Sequence, residues 1–183
     1  MRRDVARSKK LIRDAYIHLC MTTPTEQITV KEILGQADVS RGTFYAHFRD
    51  VYDLREQVEE ELLGRWRRIL TETRSCQSDP HALIMNLLDF FTRHRPELAC
   101  WNEAVFHKVK DIMVKALCED DALGDYDAAV CIAGVIVDQC RAASAEPEPR
   151  AREVIAGKTA AFIEGGLTAL RAEQRKKEKE RKQ

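Results

Sequence analysis

Apolar residues recur three and four positions apart along almost the whole of this chain, and no stretch alternates with period two for long. That spacing lines up side chains on one face of a helix and does not suit half-buried strands. Only 5 prolines interrupt it, so the pattern predicts an all-α fold. The 183 residues, 44% of them hydrophobic, suffice for one or two small cores. No apolar run approaches the roughly 18 residues that span a bilayer, so no membrane-spanning helix is expected. The opening Met1-Arg2-Arg3-Asp4 is charged and no uninterrupted apolar stretch follows it, so a cytoplasmic location is expected.

Local signals divide the pattern into helices. The first is expected from about Asp4 to Met21 and ends before Pro24. Thr29 stands three residues before Glu32, a capping box that opens a short helix to about Gln36. Ala37-Asp38-Val39 forms a turn, and Ser40 caps the helix of Phe44 and Tyr45. Asp50 opens a long helix, 50–74, with Leu54, Val58, Leu62 and Trp66 on one side; Tyr52 and Leu54 are expected to pack near the head. Asp79-Pro80 starts another helix, and Arg95-Pro96 marks a break. An apolar face from Leu98 through Trp101 and Met113 to Leu117 follows. Segment 126–144 is apolar nearly all round, which implies burial on most sides. Residues 146–149 form a stiff linker before a final helix, about 150–171.

The zero net charge conceals a segregation. Residues 1–55 carry 10 Lys and Arg against 7 Asp and Glu, residues 56–170 carry 13 against 20, and residues 171–183 carry 7 against 3. A basic head on an acidic body suits a protein that touches polyanions at one end. The 6 cysteines form no C-x-x-C pair and read as reduced, mostly buried small hydrophobes. His94, Cys100 and His107 resemble metal ligands only superficially. Two helical turns, roughly 10 Å, part Cys100 from His107, too far to share an ion. No metal and no cofactor are expected.

Residues 29–48 make a short helix, a tight turn and a second short helix, a helix-turn-helix. Val30, Ile33, Leu34, Ala37 and Val39 face inward and clamp the second helix through Phe44 and Phe48. Arg41, Gly42, Thr43, Tyr45 and His47 are left on the outer side or at the helix start. A helix of this kind inserts its first residues into the major groove of DNA, and Gly42 permits close backbone approach to base edges.

The stretch Val39-Ser40-Arg41-Gly42-Thr43-Phe44-Tyr45-x-His47-Phe48, with Leu54 beyond it, resembles the signature of the tetracycline-repressor (TetR) family. The close match covers roughly residues 5–55. The resemblance implies an all-helical homodimer whose last two long helices pair with those of a partner, and an effector pocket enclosed by the middle helices. By position, Ser40, Arg41, Gly42 and Thr43 would lie against bases or nearby phosphates, and Thr29, Lys31, Tyr45 and His47 would hold the phosphate backbone. Two departures stand out. Asp38 replaces a frequent glycine but tolerates the left-handed turn. Val51 replaces a common lysine, which implies one phosphate contact fewer per subunit.

These readings predict a DNA-binding head of residues 1–49, a ligand-binding and dimerising body of 50–171 and a charged tail of 172–183. The expected function is a transcriptional regulator, a repressor by analogy, that binds a pseudo-palindromic double-stranded DNA operator as a homodimer. A small, largely apolar effector would release it by filling space beside Trp66, Phe91, Trp101 or Met113 and tilting helix 50–74. The alternative is an interaction or coactivator module that has lost operator binding. The chain holds no Gly-rich phosphate loop, nucleophile elbow or His/Glu metal helix, so no enzyme is expected.

Overall fold

A computed structural model describes residues 2–72, 79–119, 125–145 and 148–181. Within them the chain is helical throughout, with no strand. In order come α1 (Arg2–Cys20), a single 3-10 turn (Thr25–Gln27), α2 (Val30–Ala37), α3 (Arg41–Tyr45) and α4 (Val51–Glu72). There follow α5 (Pro80–Arg93), α6 (Arg95–Leu98), α7 (Glu103–Glu119), α8 (Tyr126–Ser144) and α9 (Pro149–Arg181).

The capping chemistry fixes most of these boundaries. The amide of Asp53 donates to Asp50 Oδ1 at 2.8 Å and that of Ala82 to Asp79 Oδ1 at 2.8 Å. Each carboxylate satisfies an amide that the first helical turn leaves without an intrahelical partner. Asp125 caps α8 in the same way, at 3.1 Å from the Ala128 amide.

The structure refines or corrects several expectations. The expected break falls where α5 ends at Arg93 and α6 begins at Arg95, with Pro96 in the first turn of α6, where a missing N–H costs nothing. The apolar face expected from Leu98 is therefore split, and α7 starts at Glu103 behind Asn102, whose Oδ1 accepts from the Val105 amide at 3.1 Å. Tyr52 is 74% exposed whereas Leu54 is fully buried; two residues apart on a helix they point about 200° apart and cannot share one face. Along segment 126–144, Ala129, Ile132, Ala133, Ile136, Val137 and Cys140 are buried, and Val130 and Cys131 are exposed. Of the expected linker, Pro149 is the first residue of α9, and residues 146 and 147 lie outside the described residues, as do Cys76 and the end of helix 50–74.

The chain divides into two compact units, residues 1–65 with 94–106 and residues 66–93 with 107–183. In the first, α1 packs on α2, α3 and α6. Its core joins Ile12, Tyr16, Ile33, Phe44, Phe48 and Leu54, all at 1% exposure or less, and Val30, Leu34, Val39 and Val51 lean on it half-buried. In the second, α5, α8 and α9 pack against one another, burying Leu87, Phe91, Ala133, Ile136, Ala156 and Ile163. Each fully buried Leu, Ile or Phe stabilises its unit by about 1.5–3 kcal/mol before entropy is counted. α9 continues as helix to Arg181, through most of the charged tail.

Candidate nucleic-acid interface

The helix-turn-helix is set by three local devices. At the start of α2 the Glu32 amide donates to Thr29 Oγ1 at 3.4 Å. Glu32 Oε2 in return accepts from the Thr29 amide at 2.8 Å and from the Thr29 hydroxyl at 2.7 Å. These bonds to the charged form hold the Glu32 carboxyl below its ordinary range. At the end of α2, Asp38 adopts φ 50° and ψ 51° and its amide closes on the Leu34 carbonyl. Asp38 alone among the described non-glycine residues has positive φ, and a short polar side chain is what tolerates this conformation. Ser40 then caps α3, its Oγ accepting from the Thr43 amide at 3.1 Å and lying 2.8 Å from Thr43 Oγ1.

Phe44 anchors α3. It is fully buried, 5.8 Å from the Phe48 ring and edge-on to Tyr45 at 5.4 Å. Fixing that side chain inward leaves Arg41 and Gly42 exposed, Thr43 half-buried and Tyr45 at 48% exposure. The Arg41 guanidinium lies 5.7 Å from the Tyr45 ring centroid, a cation–π pair on the outer surface. A Cβ on Gly42 would meet only Ser40 Oγ, at 3.8 Å. Packing within the chain therefore does not require glycine there. Thr29 and Lys31 are exposed at the start of α2.

His47 is placed differently from these. Its ring is half-buried and its Nε2 lies 2.7 Å from the Ser8 hydroxyl of α1, so one imidazole nitrogen is engaged by the head itself. Lys9 of α1 sits 5.6 Å from the Phe48 ring centroid. Neither Ser8 nor Lys9 was singled out by the sequence, because nothing local marks a partner some 39 residues away. Arg49, near the start of α4, is 81% exposed at its side chain and pairs with Asp53 at 3.6 Å. Val51, in place of the usual lysine, is half-buried against the head core.

The four residues expected around an effector are all buried, but they divide between the units. Trp66, Phe91 and Met113 are fully buried in the second unit. The Trp66 ring lies 5.6 Å from Phe91 and 5.5 Å from Phe90, and its Nε1 donates to the Val109 carbonyl at 3.3 Å. Trp101 belongs to the first unit, edge-on to Phe106 at 5.4 Å, with its indole N–H buried and without a hydrogen-bond acceptor. A solvent-open groove at the start of α9, lined by Glu148, Arg150, Ala151, Val154 and Ile155, includes none of the four. Among the described residues no group of three or more His, Cys, Asp or Glu is placed to hold a metal ion.

No family model matches this sequence, and no curated protein does. Solved structures do match its fold. A TetR transcriptional regulator from Streptococcus agalactiae 2603V superposes with a TM-score of 0.64 at 14% identity, covering 88% of this chain and 96% of its own. The fatty acid degradation regulator FadR from Bacillus halodurans gives 0.66 at 16% identity, over 87% of this chain and 96% of its own. A gamma-butyrolactone receptor described as ArpA-like gives 0.58 at 19% identity, over 89% and 98%. The chain shares the all-helical fold of these regulators nearly from end to end, which is the fold that the resemblance of residues 39–48 implies.

Proposed function

We propose that this chain is a sequence-specific DNA-binding transcriptional regulator that binds a pseudo-palindromic operator as a homodimer and is released by a small, largely apolar effector. The observation that carries the reading is the outer face of α3. Arg41 and Gly42 are exposed at the start, and Tyr45 at the end, of a short helix pinned from behind by Phe44, and no intrachain packing demands a glycine at position 42. In this reading Arg41, Gly42 and Thr43, capped by Ser40, meet base edges. Thr29, Lys31, Tyr45 and His47 hold phosphates, contacts that set register without reading sequence. Residues 1–49 act as the head, 50–171 as the body and 172–183 as a charged extension. Repression is the sign of control that we infer, by analogy with the fold. No catalytic role is assigned, and the site of action is the cytoplasm, where the operator lies.

The homodimer is assigned to α8 and α9. Tyr126 and Val130 on α8 and Val154 and Phe162 on α9 are exposed at 43–69%, an apolar set that a second copy would cover. The effector is assigned to the second unit beside Trp66, Phe91 and Met113, whose surroundings are apolar as such pockets usually are; Trp101 is left out because it belongs to the other unit. The deciding experiment is a titration of labelled DNA, the chain's own promoter region against random sequence, at several salt concentrations. Tighter binding to one fragment by tenfold or more supports the regulator. Equal weak binding supports the second reading, an interaction module without an operator, which the replacement of the usual lysine by Val51 favours.

A further inference from the structure

His47 lies just beyond α3, and its Nε2 is 2.7 Å from the Ser8 Oγ of α1. The same Ser8 hydroxyl donates to the Val5 carbonyl, three residues back, at 3.0 Å. A serine hydroxyl carries a single hydrogen and two lone pairs. With that hydrogen directed at Val5, Oγ can only accept from the imidazole, so the hydrogen between the two side chains sits on Nε2. A neutral imidazole has one ring hydrogen, which leaves Nδ1 a bare acceptor. Among the described residues, the buried side-chain nitrogens and oxygens without a partner belong to Arg13, Tyr16 and Trp101. Nδ1 of half-buried His47 engages no described group and is not one of these, so it reaches solvent.

We propose that Ser8 is a positioning residue for DNA binding: it keeps the hydrogen of neutral His47 on Nε2, so His47 holds a phosphate only after Nδ1 gains a proton. This rests on the reading of residues 29–48 as a DNA-binding head with His47 against the phosphate backbone. A phosphate oxygen offers lone pairs and no hydrogen. It repels a bare Nδ1 and accepts from a protonated one, in a charge-assisted hydrogen bond. The proton comes from solvent and the ring becomes the imidazolium. The bond from Nε2–H to Ser8 Oγ is the same in both states. Each subunit therefore takes up one proton as its phosphate is seated.

The charged groups around the ring leave the counter-charge to DNA. On α1 they are Lys9, 5.6 Å from the centroid of the Phe48 ring that neighbours His47, and Asp4, one turn before Ser8. On α3, Arg41 lies over Tyr45. Beyond His47, Arg49 pairs with Asp53 at 3.6 Å, and Asp50 accepts from the Asp53 amide at 2.8 Å. Among the described residues no carboxylate pairs with His47. A phosphate at Nδ1 makes the ring bind its proton more tightly in the complex than in the free chain. By linkage, the affinity this adds is fully present below the pH at which the free chain titrates and is lost as pH rises through the titration of the complex. Imidazole changes charge between about pH 5 and 8, which sets the window.

The test titrates the full chain against rhodamine-labelled duplexes, its own promoter region and a random sequence, from about pH 6 to pH 8 at fixed salt. Native affinity should rise about tenfold from pH 8 to pH 6, on both duplexes, because a phosphate contact carries no sequence information. His47→Gln should flatten the profile. Ser8→Ala removes the acceptor that fixes the hydrogen, so a neutral ring can carry it on Nδ1 and donate without a proton. Its profile should be shallower than the native one, and Ser8→Thr should restore the slope. A merely structural Ser8 would instead weaken binding by one factor at every pH. The tautomer is read without DNA, from nitrogen-15 spectra of the histidine-labelled native chain at about pH 8, so it holds even where a variant fails to fold. A hydrogen on Nδ1 of His47 there would overturn the proposal. Parallel profiles for the native chain and His47→Gln would overturn it and leave DNA binding intact, whereas no binding at any pH would remove both.

Discussion

The Ser8 hydroxyl of α1 meets His47 Nε2 at 2.7 Å, tying the first helix directly to the residue just beyond α3. The bond orients an imidazole that the proposed function assigns to the phosphate backbone. Ser8→Ala should therefore cost about 0.5–1.5 kcal/mol of stability, the usual net value of one such bond. It should weaken binding to all DNA sequences alike, since a phosphate contact carries no sequence information. Urea denaturation and anisotropy titrations on specific and random duplexes measure the two effects. A loss confined to the specific duplex would place His47 at a base.

Arg41 and Phe44 should separate recognition from folding. Arg41 is exposed and Phe44 fully buried, three residues apart on one short helix. Arg41→Ala should change stability by less than about 0.5 kcal/mol yet cost about 1–3 kcal/mol on the preferred sequence and far less on random DNA. Phe44→Ala should destabilise the first unit by about 3–5 kcal/mol, visible as an early loss of helical circular dichroism. Equal losses for Arg41→Ala on both duplexes would assign it to the phosphate backbone.

Val51→Lys tests the missing phosphate contact. Val51 leans half-buried on the head core at the start of α4, so lysine gives up some packing while its amine reaches outward. Affinity for DNA should rise, and the slope of log K against log salt should steepen by roughly 0.9 per subunit. An unchanged slope would mean that position 51 faces no phosphate.

Glu32 and Asp53 make stability depend on acid. Hydrogen bonds from Thr29 lower the Glu32 carboxyl from its ordinary 4.5, and the Arg49 amide lowers Asp53 from 3.8. A carboxyl depressed in the folded state adds stability that is present above its unfolded value and lost as pH falls through the folded one. Melting temperature should accordingly hold from neutral pH to about pH 5 and decline below it. Glu32→Ala should melt lower at neutral pH and show a shallower decline between about pH 5 and 3. Parallel curves for the two proteins would deny Glu32 any part in the acid dependence.

Gly166→Arg probes the pairing of α9. Within one chain a Cβ at Gly166 meets nothing within 4 Å and the residue is exposed, so arginine does not disturb the fold of a single copy. A second copy laid on this face would be blocked. Sedimentation should show the native chain as a dimer at micromolar concentration and Gly166→Arg as a helical monomer. A native chain that sediments as a monomer removes α9 as a dimer interface.

What was legible in the sequence was local. Thr29 with Glu32, Asp38 in its left-handed turn, Ser40 before α3 and Asp79-Pro80 before α5 each act within four residues, and each is found where its spacing predicts. The buried Phe44 and Phe48 follow from helical period in the same way. Arg95-Pro96 marked a real boundary, since α5 ends at Arg93 and proline is tolerated in the first turn of the new helix α6. Ser8 with His47 was invisible. The two meet only after α1 has folded back on an element far along the chain, and no periodicity records a long-range pairing.

The single inward anchor of α3 has an evolutionary consequence. Stability in this segment is vested in Phe44 and in the cap of Ser40, while positions 41, 42 and 45 point away from the core. Substitutions on that outward side leave the fold's free energy nearly untouched. If these positions read DNA as proposed, a duplicated copy can drift to a new target by changing two or three exposed residues, with no compensating change behind them. New binding preferences in such a chain can arise in single steps, each of which still folds.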